Sequence, residues 1–116
     1  MRAEFSLMVA LSGLLGALPT FADERPIELN TDLKGQYFIV EQSGAPNALT
    51  LVTRRATGEK SVYTKQELDC EARTARLLAN GSSIDALVDL RPLQEATPIE
   101  PGTIVDQLAA HVCPKP

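Results

Sequence analysis

Tryptophan is absent, aromatic residues of all kinds make up 4% of the 116 residues, and there are one histidine and two cysteines. A zinc site takes about four Cys or His donors, and His111 with Cys70 and Cys113 falls short of that set. The two cysteines lie far apart in the chain, which excludes a C-x-x-C redox dithiol. No serine stands in a G-x-S-x-G elbow, and the seven glycines form no phosphate-binding loop. Positive charge is also scarce: 11 Lys and Arg against 15 Asp and Glu give a net charge of −4. Nucleic acid and anionic membrane surfaces both need concentrated basic patches, so neither is expected as a partner. Arg54-Arg55 is the only basic doublet, and it reads as a solvated strand edge or turn.

Long apolar runs are missing except at the front. Met1-Arg2-Ala3-Glu4 forms a short n-region, and Phe5 to Leu18 is apolar with Ser6, Ser12, Gly13 and Gly16 interrupting it. Pro19-Thr20-Phe21-Ala22 then places small residues before a cut, so residues 1–22 are predicted to be a signal peptide. The run is shorter than the roughly 20 residues a spanning helix needs, so no membrane anchor is expected after cleavage. No cysteine precedes Cys70, which leaves no site for lipidation at the cut.

The remainder is sized for one small domain. Two cysteines in an exported chain normally pair, and Cys70 with Cys113 is the expected disulfide. A loop of that length confers about 4 kcal/mol by chain entropy, a large share of the roughly 5 to 15 kcal/mol of a typical domain.

Residues 23–34 are polar and open on Asp23-Glu24-Arg25-Pro26, which suggests a flexible arm ahead of a domain over 35–116. Gln36 to Glu41 is aromatic and β-branched and ends in the turn formers Ser43 to Asn47. Ala48 to Arg54 alternates as a second strand, and Thr57-Gly58-Glu59-Lys60 turns the chain. Between Lys60 and Gly81 two readings compete. Thr64-Lys65-Gln66-Glu67 has capping-box form, and Leu68, Ala72, Ala75 and Leu78 recur at helical spacing before Asn80-Gly81, which favours a helix over Lys65 to Ala79. The other takes Ser61 to Cys70 as a strand with Val62, Thr64, Leu68 and Cys70 on one face, a turn at Glu71-Ala72, and a return strand over Arg73 to Ala79.

Ile84 to Leu90 suits a helical turn or a strand, and Pro92, Pro98 and Pro101 mark a connector. The C-terminal signals are cleaner. Thr103 is a candidate N-cap, Ile104, Leu108 and Val112 fall at i, i+4 and i+8, and Pro114 ends the pattern. Val105, Ala109 and Cys113 form the adjacent stripe, so the bridge would fasten the apolar face of a short helix to the segment carrying Cys70.

Three carboxylates, Glu67, Asp69 and Glu71, crowd around Cys70 and would share a strand face. A metal or acid/base site is conceivable there, but Lys65, Arg73 and Arg76 nearby make an ion-paired, solvated face the expectation. Cys70 as a nucleophile with His111 as base would need a free thiolate, which a disulfide denies. His111 itself reads as a surface helix residue, and Asn80-Gly81-Ser82, formally a glycosylation sequon, reads as a turn.

The run Glu67-Leu68-Asp69-Cys70-Glu71-Ala72-Arg73-Thr74-Ala75-Arg76, followed by Pro101-Gly102-Thr103-Ile104 and Val112-Cys113, resembles the surface-adhesin protein E-like proteins of Gram-negative bacteria. These share an E-x-D-C segment, an Arg-rich continuation and a P-G-S/T-I helix start before a last cysteine; the match runs from about Ser61 to Cys113. The resemblance implies a twisted antiparallel sheet with the C-terminal helix tied to it by the disulfide, and two strands in place of a helix over Lys65 to Ala79. The best-known members are outer-surface lipoproteins that bind host extracellular-matrix and plasma proteins.

The expected fold is therefore α+β, a small antiparallel sheet with a C-terminal helix clamped by Cys70 and Cys113. The expected function is a non-enzymatic, adhesin-like protein-binding module of the periplasm or cell surface of a Gram-negative bacterium, as a monomer or homodimer. The alternative is a soluble periplasmic accessory or inhibitor protein with no host-directed role. No catalytic residue, cofactor or metal is expected.

Overall fold

The computed structural model describes residues 24–30 and 34–115; the signal peptide expected over residues 1–22 lies outside the described residues. The strands are β1 (Arg25–Ile27), β2 (Gln36–Ser43), β3 (Leu49–Thr57), β4 (Lys60–Asp69), β5 (Thr74–Gly81) and β6 (Thr97–Pro98). They form one sheet in chain order with every neighbour antiparallel. A 3-10 turn at Ile84–Ala86 follows β5, and an α-helix, α1 (Ile104–Val112), follows β6. The architecture is the expected α+β one.

The meander follows from local chemistry. Tyr37, Phe38, Ile39 and Val40 supply β2 with aromatic and β-branched side chains suited to a half-buried pleat. Thr57 pairs with Lys60 across a two-residue connection in which Gly58 takes φ +58°, a conformation glycine adopts without steric cost. Pro26 lies in β1 at the sheet edge, where a missing N–H costs no ladder bond.

One face of the sheet makes the main core. Leu49 stands opposite Leu68, which stands opposite Ala75, and Leu51 occupies the same face two residues along β3. Onto this face α1 lays Leu108, Ala109 and Val112, joined by Leu29, Tyr37, Ile39 and Ile99. Leu51, Leu68 and Leu108 are 0%, 0% and 1% exposed and form its centre. On the other face the row Val52, Lys65 and Ala79 runs across β3, β4 and β5. There Lys65 pairs with Asp89 at 3.1 Å and the Leu90 N–H donates to the Leu78 carbonyl at 2.7 Å. The segment after the 3-10 turn is thereby fastened over Val52, Leu78 and Ala79, all buried outside the main core cluster.

Three local expectations are corrected. Lys65 to Ala79 forms no helix: β4 and β5 bracket a turn at Cys70 to Arg73, because strands put Leu68 and Ala75 on the core face together with Cys70. The polar segment expected as a flexible arm contributes β1, buries Leu29 in the core, and sends the Asn30 N–H to Gln107 Oε1 at 2.6 Å. Arg54 and Arg55 occupy a central strand instead of an edge or turn. Arg54 folds over the Phe38 ring at 4.1 Å and binds the Glu24 carboxylate through Nε and Nη2, with Nη1 donating to Ser61 Oγ. The Glu24 pairing raises the guanidinium pKa further above its already high ordinary value.

Candidate functional site

The candidate site is the junction of the β4–β5 turn with both ends of α1. Asp69 closes β4, and its Oδ1 accepts from the Glu71 and Ala72 N–H groups at 3.0 and 2.8 Å, while the Arg73 N–H donates to the Asp69 carbonyl. This Asx turn aims the chain back into β5. It also forces Arg73 to φ +60°, a left-handed conformation costly for a residue with a Cβ. The Cys70 N–H donates to the Pro46 carbonyl at 2.8 Å, which ties the turn to the β2–β3 connection.

Arg73 reaches from this turn to the start of α1. Its Nη2 donates to Asp106 Oδ1 at 2.7 Å, and Asp106 Oδ2 accepts from the Gly102 N–H at 2.9 Å. Thr103 is the N-cap anticipated from sequence, its Oγ1 accepting from the Asp106 N–H at 3.2 Å. The Gly102 N–H first, and the Arg73 guanidinium second, hold the Asp106 carboxyl below its ordinary value. At the far end of α1, Cys113 caps the helix through its N–H to the Ala109 carbonyl and bonds to Cys70 with Cα atoms 5.7 Å apart. The turn thus grips α1 at both ends: ionically at its N-terminus, covalently at its C-terminus.

Over the disulfide lies an open cavity of about 630 Å³, lined by Pro46, Cys70, Glu71, Arg73, Cys113, Pro114 and Lys115. A smaller slot of about 200 Å³ opens where the chain leaves β5 before β6, between Gln66, Leu77, Gln94, Thr97 and Val105. At that slot Gln66 Oε1 is buried with no hydrogen-bond partner among the described residues. No local sequence signal marks either cavity, because each is assembled from segments distant in the chain.

The carboxylates that crowd Cys70 in sequence do not converge. Glu67 pairs with Arg76 at 2.9 Å across β4 and β5, Asp69 is spent on the turn, and Glu71 is exposed. Among the described residues no group of three or more His, Cys, Asp or Glu could hold a metal ion. Cys70 is disulfide-bonded and His111 is exposed on α1. Asn80 and Gly81, which read as a turn in sequence, are the last two residues of β5, with Asn80 exposed.

The fold and site together define a small α+β domain clamped by one disulfide. No known protein-family model, curated protein or solved structure matches the chain. Among the described residues no helix is long and apolar enough to cross a membrane.

Proposed function

We propose that the chain is an exported, non-enzymatic protein-binding module, related to the surface-adhesin protein E-like proteins, that engages its partner along the outer edge of β5. The supporting observation is the short cover on that edge. Among the described residues β6 pairs with β5 at Thr74 and Ala75, while β5 continues to Gly81. Beyond Ala75 that edge is met by the Leu90 N–H at the Leu78 carbonyl, and a strand edge so sparsely paired offers main-chain hydrogen bonds to an incoming extended segment. The chain that leaves this edge carries Val88, 76% exposed, and Leu93, 37% exposed, apolar side chains placed to be covered by a partner.

The experiment is capture of partners by the tagged mature domain, repeated with Val88→Asp, alongside fractionation of the native cells. A partner held by the native chain and lost with Val88→Asp supports the reading. Recovery in the soluble periplasm alone, with no exposure to protease added outside the cells, would sink the adhesin role in favour of a periplasmic accessory or inhibitor protein.

A further inference from the structure

The Cys70–Cys113 bridge combines two properties that a buried structural staple does not. Both half-cystines are half-buried and line the larger cavity, so a thiol can reach the sulfurs without displacing the core. Each is also held in place by bonds independent of the bridge. Cys70 sits in a turn closed by Asp69 and by its own N–H to the Pro46 carbonyl, and the Cys113 N–H donates to the Ala109 carbonyl. The helix between has further ties: Leu108, Ala109 and Val112 are 1%, 1% and 8% exposed, and Asp106 and Gln107 are bonded to Arg73 and Asn30.

We propose that this disulfide is a redox latch, opened and closed by thiol–disulfide exchange in the folded protein through the cavity above it. A thiolate of an external dithiol attacks one sulfur of the bridge, the Cys70–Cys113 bond breaks, and the other sulfur leaves as a thiolate. The second thiol of the reagent then attacks the mixed disulfide. The external dithiol becomes a disulfide, and Cys70 and Cys113 take up the two electrons and finish, with two protons, as thiols. The opened form keeps the sheet and the docked helix and loses its grip on the last turn of α1. Because each cysteine keeps its own backbone anchor, the thiols stay close, and an external disulfide reforms the bridge by the reverse exchange, taking up the two electrons and two protons and leaving as a pair of thiols.

The test uses the full mature chain with dithiothreitol and no denaturant, quenched with iodoacetamide and followed by mass, circular dichroism and hydrogen exchange. Two alkyl groups per chain are expected with the strand signal retained, and exchange should quicken at least about tenfold at the Val112 and Cys113 amides while the β3 and β4 amides stay protected. Replacing the reductant with oxidised glutathione before the quench should restore the unalkylated mass, with two glutathione thiols released per chain. Thiols that appear only in denaturant overturn the proposal, as does reduction accompanied by loss of the strand signal or by a uniform rise in exchange.

Discussion

Arg73 permits a comparison in which the side chain's own contacts cancel. Both Arg73→Ala and Arg73→Gly delete the guanidinium that binds Asp106 and leave the Asx turn of Asp69 intact. They differ in what they ask of a backbone held at φ +60°. A residue with a Cβ spends about 1 to 2 kcal/mol in that conformation, whereas glycine adopts it freely. Glycine also gives the unfolded chain more freedom, which returns about 0.4 to 1 kcal/mol of the advantage. Arg73→Gly should therefore be more stable than Arg73→Ala by about 1 kcal/mol, the reverse of the usual order inside a strand. With a urea slope of about 2 kcal/mol per M for a domain of this size, the unfolding midpoints should differ by about 0.5 M. Both variants should also raise the Asp106 pKa toward the ordinary carboxylate range in an NMR titration, the Gly102 N–H keeping part of the depression. An alanine variant as stable as the glycine variant, at equal slopes, would refute the view that this turn stores strain to place the guanidinium.

Replacing both cysteines by serine should lower stability by about 4 kcal/mol at 25 °C in denaturant titrations, since the bridge closes a loop with a sequence separation of 43. Leu68→Ala, at a side chain 0% exposed between Leu49 and Ala75, should cost about 2 to 5 kcal/mol by the same measurement. Gln66→Leu removes a buried oxygen with no partner among the described residues and should stabilise the protein by about 1 kcal/mol, read as a higher Tm. Asp106 has its pKa lowered in the fold, so its contribution is fully present above the unfolded carboxyl pKa and is lost as pH falls through the lower folded value. Asp106→Asn should accordingly flatten the acid limb of a stability profile and leave its slope near neutral pH unchanged.

The elements legible in the sequence are those whose signals are local and unopposed. Thr103, the Ile104, Leu108, Val112 spacing and Pro114 fix α1 to within a residue, and the turn formers on either side of Leu49 to Arg54 delimit β3. Thr64 to Glu67 shows where local pattern fails. The same residues spell a capping box and a strand, and the choice falls to partners far away: Thr64 stands opposite Thr53 and Asn80, and Glu67 pairs with Arg76. Tertiary pairing then outweighs propensity. The Arg54 and Glu24 pair was hidden for a related reason, since 30 residues separate a doublet in one strand from a carboxylate beside β1. The bridge was legible because only two cysteines are present to pair, whereas the cavity above it depends on Pro46 and Pro114, whose neighbourhood only the folded chain creates.

The claim on which the rest depends is that one covalent clamp joins α1 to the β4–β5 turn. It is tested most directly by proteolysis of the unreduced, denatured and alkylated protein followed by mass measurement. The expected result is a disulfide-linked pair of peptides carrying Cys70 and Cys113, with no alkyl group on either. Two alkylated cysteines in that sample would contradict it.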